Sequence, residues 1–167
     1  MLMTLTLTSP AFGDGETIPM QYTCDGDNTN PPLVIAGVPA EADSLVLLMD
    51  DPDIPTAVKE ARGIEKFDHW VLYEIPATTT VIDSGAIVGR LGRNSAGTAA
   101  YTGPCPPPQY EPTEHRYFFR LYAIKGRLTL GDSPTLDEVQ SAVASAAIEQ
   151  VELMGRYERI PKEASGD

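Results

Sequence analysis

Residues 44–55 read SLVLLMDDPDIP, a strand-like run driven into carboxylates on either side of a proline. The run at 44–49 is short, apolar and ended by a breaker, which marks it as a buried strand. Pro52 and Pro55 each fix φ and remove a backbone donor, so no regular ladder continues beyond them. Asp51 and Asp53 therefore stand on a stiffened turn at the end of a core strand. Folds put binding sites at such places, and also ordinary turns.

Outward from this strand, two further runs are strand-like. HWVLYEI at 69–75 is the second central strand, and HRYFFRLYAI at 115–124 is the richest in aromatic and branched residues. The unbroken apolarity of the latter implies cover on both faces. At the start of the chain Leu5 and Leu7 alternate with Thr4, Thr6 and Thr8, as a half-buried first strand requires. No basic region precedes it, so it does not read as a secretion signal. TAVKEARGIEKF at 56–67 is a charged insertion holding a short helix and is expected to lie on the surface. The longest helix is expected over 135–154. Thr135 and Glu138 make a capping box, Val139, Val143, Ala147 and Val151 recur at helical spacing, and Gly155 can close the end. GRYERI at 155–160 then reads as a last short strand and 161–167 as a loose tail. No repeat and no long linker divides the chain, so 1–167 reads as one mainly β domain with a core over about 4–160.

Composition narrows the function classes. Twelve basic residues face 24 acidic ones, a net charge of −12, which argues against non-specific binding to nucleic acid or to an anionic membrane. The 14 glycines and 15 prolines suit many turns between short strands. No apolar stretch reaches the length that spans a bilayer. Two cysteines, Cys24 and Cys105, do not make a disulfide scaffold, so a cytoplasmic location with both thiols reduced is the default.

The chain has only two histidines, and each begins a strong strand: His69 in DHWVLYEIP and His115 in EHRYFFRLY. Alone, either reads as a structural residue; with Asp51 and Asp53 at a third strand end, convergence becomes the expectation. YTGPCPPPQYEPTEHRY at 101–117 is the fourth element. Gly103 lets the backbone approach a ligand closely, while prolines 104 and 106–108 resist collapse; the competing reading is a rigid polyproline surface loop. Imidazoles that donate and carboxylates that accept suit a small phosphorylated or zwitterionic ligand better than a bare metal.

Other chemistries fail at the residue level. RNSAG around Ser95 lacks the first glycine of a hydrolase elbow. Cys105 has no helix start or basic cluster nearby in sequence to lower its thiol pKa. The helical H-E-x-x-H zinc spacing is absent. In DGDNTN a calcium loop would need glycine where Asn30 stands and glutamate where Ala36 stands, so a turn is the better reading. The expectation is a non-enzymatic binding protein with no cofactor and no metal.

YTCDGDNTNPPLVIAGVP, DDPDIP, DHWVLYEIP, GRNS, YTGPCPPP, EHRYFFRLYAI and LMGRYER, in this order, resemble the phosphatidylethanolamine-binding protein family in its bacterial and archaeal Raf-kinase-inhibitor-like branch. The resemblance runs over about residues 9–160. It implies a large antiparallel sheet packed against a second, smaller sheet, with small flanking helices including a C-terminal one. It also implies a small surface pocket for phosphate-like anions and phosphorylated lipid head groups. Matched by motif, the pocket residues would be Asp51, Asp53, His69, Gly103, Cys105, Pro106, His115 and Tyr117. Arg116 would make a structural ion pair, and Asp51 would face His69 and favour its charged form. Both cysteines would come near the pocket. Ile54 departs from the alanine of the family's DPDAP, an insertion precedes His69, and a lengthened loop brings Glu111 and Glu114 toward the expected mouth. The resemblance leaves the partner open, a kinase or a protease, and the chain a monomer or homodimer. Protease inhibition through the PPPQYEPTE loop at 106–114 is the alternative function.

Overall fold

The computed structural model describes residues 4–159. Strand β1 (Thr6–Thr8) is followed by a single 3-10 turn at Met20–Tyr22, then β2 (Leu33–Ala36) and β3 (Ser44–Asp51). Helix α1 (Thr56–Arg62) leads into β4 (Phe67–Pro76), two short strands β5 (Val81–Ile82) and β6 (Arg90–Leu91), and β7 (Glu114–Ile124). Helix α2 (Leu136–Val143) and β8 (Ala147–Glu158) complete the chain. A three-stranded sheet, ordered β1-β2-β5, and a five-stranded sheet, ordered β6-β4-β3-β7-β8, are both antiparallel. The architecture is mainly β, as the strand patterns required.

Two cores explain why β3 is apolar at every position from Leu45 to Met49. Leu45, Leu47 and Met49 point toward the small sheet and meet Leu7 and Ile35. Val46 and Leu48 point the other way, against Leu136, Val139 and Val143 of α2. Each such burial contributes about 1.5–3 kcal/mol, which is why the strand carries no polar residue between Ser44 and Asp50.

The helix expected over 135–154 is corrected. Thr135 does cap it, its side chain accepting from the Glu138 backbone N–H at 3.2 Å, but α2 ends at Val143. From Ala147 the chain is strand, and GRYERI is no separate element because β8 already runs as far as Glu158. A spacing of four is also a multiple of two, so Val143, Ala147 and Val151 fit a strand equally well. The alternation of Val151, Leu153, Gly155 and Tyr157 carries the true signal, because these residues face the core. The reduced thiols are corrected too: Cys24 and Cys105 form a disulfide, with Cα atoms 5.4 Å apart. Such a bond needs surroundings oxidising enough to keep it. The loose tail expected at 161–167 lies outside the described residues.

Candidate functional site

Antiparallel pairing brings the end of β3 beside the starts of β4 and β7: Asp51 lies opposite Phe67, and Asp50 opposite Phe118. Alternation then sends Asp51, His115 and Tyr117 to the face of the sheet that carries Met49 and Phe119. His69 reaches that face by a different route. Met49 pairs with Trp70 and Asp50 with Asp68, so His69 is the extra residue of a β-bulge. The bulge lets His69 and Trp70 share one side of the sheet, which simple alternation forbids. The freed backbone groups are satisfied locally: the Thr102 N–H donates to the His69 carbonyl at 3.0 Å, and the Ser95 N–H to that of Asp68 at 2.9 Å.

The result is a cavity of about 250 Å³. Asp51, His69 and His115 form its polar floor, and Ile54, Pro55, Phe67 and Pro106 its apolar walls. The ring of His115 donates from Nδ1 to Asp51 Oδ2 at 2.7 Å, a pair that is almost wholly buried. The other Asp51 oxygen accepts from the Asp53 N–H at 2.7 Å across Pro52, which is the reason for the stiffened turn. His69 Nδ1 lies 2.6 Å from the Thr102 carbonyl, which can only accept, so this nitrogen carries the proton. The Nε2 atoms of both rings are buried without a partner, and so is the Tyr117 hydroxyl. Two larger hollows, near Glu74 and near Gln140, contain none of these unpartnered buried atoms.

The electrostatics follow from burial. Desolvation pulls the His69 pKa down to about 4, against the Thr102 hydrogen bond and the attraction of Asp51, so the ring is neutral near neutral pH. This corrects the expectation that Asp51 would hold His69 charged: the carboxylate binds the other ring, and burial outweighs what attraction remains. Burial also raises the Tyr117 pKa and keeps its phenol protonated. On the opposite face of β3, Asp50 pairs with Arg120, yet burial still raises its pKa.

Not every expected residue reaches the cavity. Asp51, His69, Cys105, Pro106 and His115 line it. Asp53 instead holds Arg116 through two oxygens, at 2.8 and 2.9 Å, and that pairing lowers its carboxyl pKa. Arg116 is thus in the structural ion pair expected of it. Tyr117 packs edge-on against His69, with ring centres 5.2 Å apart. Gly103 does approach something closely, but it is the chain's own support. A Cβ there would stand 2.4 Å from the Tyr22 carbonyl oxygen and 2.5 Å from Asn28 Oδ1. The Gly103 N–H donates to that Asn28 oxygen, and the Cys24 N–H to the Pro104 carbonyl. With the disulfide, these contacts pin the wall formed by residues 102–106. The turn-rich 24–30 segment is therefore a brace. Neither Glu111 nor Glu114 lines the cavity, and Glu114 pairs with Arg156 at 3.6 Å.

Sequence reasoning missed several lining residues. Val58 and Arg62 of α1 reach the mouth, so the insertion expected on the surface also builds one wall. Ile54, noted only as a departure, fills another part, and Thr102 acts through its backbone, where no side-chain signal exists. Among the described residues, no group of three or more His, Cys, Asp or Glu side chains is arranged to hold a metal, and no helix is long and apolar enough to cross a membrane.

The sequence profile described as phosphatidylethanolamine-binding protein matches residues 8–158. The chain belongs to this family. Among its relatives in the phosphatidylethanolamine-binding protein family is a UPF0098 protein of Chlamydia pneumoniae, 42% identical over 156 residues, which cover 93% of this chain and 99% of the relative. A UPF0098 protein of Methanothermobacter thermautotrophicus is 40% identical over 93% of this chain and 99% of its own. Of solved structures, a putative phosphatidylethanolamine-binding protein homologue from Chlamydia trachomatis superposes with a TM-score of 0.85 at 36% identity, covering 94% of this chain and 99% of the other. Escherichia coli YbcL, described as a new member of the mammalian PEBP family, gives 0.80 at 28% identity, over 96% of this chain and all of the other. Membership supports a small-ligand binding protein, the coarse function that the resemblance implied.

Proposed function

We propose that the chain is a non-enzymatic binding protein whose cavity over Asp51, His69 and His115 receives the anionic group of a small phosphorylated ligand. One observation carries this reading: two buried imidazole nitrogens at one cavity lack any hydrogen-bond partner. Leaving buried polar atoms unpaired costs about 1–3 kcal/mol each, a cost that a polar ligand removes. The volume lies slightly below that of ordinary drug-sized sites, which suits a phosphoryl group with a small substituent. The walls of Ile54, Pro55, Val58, Phe67 and Pro106 favour an organic group with apolar surface. Both Asp51 oxygens already accept, so the carboxylate acts chiefly by orienting His115 rather than by meeting a ligand amine.

Calorimetric titration with phosphate and with phosphoethanolamine tests the reading on wild type and on His115→Gln. Binding to wild type, weakened roughly tenfold or more in the folded variant, is the expected result, since a charge-assisted hydrogen bond is worth about 1.5–3 kcal/mol. Unchanged affinity in the variant would remove the anion from this cavity. The alternative, protease inhibition, finds support in the exposed 108–111 stretch, where Tyr110 keeps 46% of its surface. A protease assay run beside the titration separates the two.

A further inference from the structure

We infer that the cavity selects oxyanions that still carry a proton, namely phosphomonoesters in their singly charged form and inorganic phosphate, over phosphodiesters and sulfate. The inference rests on the anion reading above and is decided by His69. The Thr102 carbonyl requires a proton on Nδ1. A neutral imidazole has only one N–H, so its buried Nε2 presents a lone pair to the cavity. Desolvation keeps the ring in that form near neutral pH. The floor is therefore not a pair of donors.

His115 differs. Its Nδ1–H is committed to Asp51, and with a proton on Nε2 as well the ring is a donor to the cavity whose charge the Asp51 carboxylate balances. An occupant that satisfies both rings must accept from His115 and donate to His69. A phosphomonoester monoanion does both, through one P–O⁻ and one P–O–H, and so does inorganic phosphate, which keeps a proton in its singly and its doubly charged form. Sulfate and a phosphodiester offer only acceptors and set an oxygen against the His69 lone pair. The head group of a phospholipid is a diester, so the inference separates lipid-borne phosphate from free phosphomonoesters. The charged or titratable groups facing His69 are Asp51 from β3, His115 and Tyr117 from β7, and Arg62 from α1 at the mouth. Their ionisation acts on every anion alike, and comparison between anions at one pH cancels it.

The test is calorimetry on wild type with two matched pairs: phosphate against sulfate, which are nearly the same size, and phosphoethanolamine against glycerophosphoethanolamine. A phosphomonoester loses its second proton at about pH 6, so titrations at about pH 5.5 and about pH 8 bracket the change. The expected result at the lower pH is that phosphate exceeds sulfate, and monoester exceeds diester, by about tenfold or more. The advantage of monoester over diester should shrink by about tenfold or more at the higher pH as the P–O–H is lost. In His69→Gln an amide can donate where Nε2 accepted, and sulfate should come within about threefold of phosphate. Sulfate or diester matching its partner at the lower pH in wild type would overturn the inference while leaving the anion reading intact. Failure of all four ligands to bind would remove both.

Discussion

His69 illustrates how burial turns a residue into a pH sensor of stability. Its folded pKa of about 4 lies below the ordinary value of 6.5, so between these values the unfolded chain takes up a proton that the native ring refuses. Its contribution is complete above about pH 6.5 and is lost as pH falls toward about 4, by roughly 3 kcal/mol in all. Urea unfolding of wild type and His69→Gln over that window should show a shallower fall in the variant; parallel curves would show that the ring is not buried neutral. Asp51 makes a complementary prediction. An asparagine there would turn an N–H toward either the Asp53 amide or the His115 ring, and should cost about 1–3 kcal/mol in urea unfolding. An unchanged midpoint would show that the carboxylate does not hold these groups. Residue types at the site were legible because strand ends, prolines and histidines are local features. The partners were not, because His69 reaches its face through a bulge and is held by a backbone carbonyl. Neither leaves a mark on side-chain pattern.

At the scale of elements, β8 was the misread segment, and Gly155 can test the correction. A Cβ there would meet Ile18 Cγ1 at 2.5 Å and Phe12 at 2.8 Å, both in the core. Gly155→Ala should therefore destabilise by about 1–3 kcal/mol through overpacking. In a helix the same change would stabilise by up to about 1 kcal/mol, so the sign of the shift in melting temperature decides between the two. The central strands were legible because their apolar runs are short and bounded; β8 was not, because a spacing of four belongs to both periods. The disulfide joins segments 81 residues apart and was invisible for the same reason that any long-range contact is. Closing a loop of that size stabilises by about 4 kcal/mol on chain-entropy grounds, so Cys24→Ser should lower the unfolding free energy by a few kcal/mol. Thiol counting in denaturant without reductant should find none, and finding two would refute the bond.

For the whole molecule, net charge opposes the anion binding proposed above. A chain of net charge −12 repels an anion until it reaches the cavity mouth, where Arg62 stands. Raising ionic strength from about 10 to about 150 mM shortens the Debye length from about 30 to about 8 Å and should therefore speed phosphate association. Stopped-flow rates that fall steeply with salt would point to a basic entry instead. The two sides of the cavity also differ in how firmly they are held. The 102–106 wall is tied by a covalent bond and by Asn28, whereas α1 has no buried side chain among its seven residues. Opening should begin at α1, the less stable side. On the anion reading proposed above, the floor that would meet the anion and the Val58 and Arg62 side chains at the mouth belong to separate pieces of chain. On that reading, exchanging this seven-residue helix would change which organic substituent is admitted beside Val58 while the floor of Asp51, His69 and His115 stays as it was.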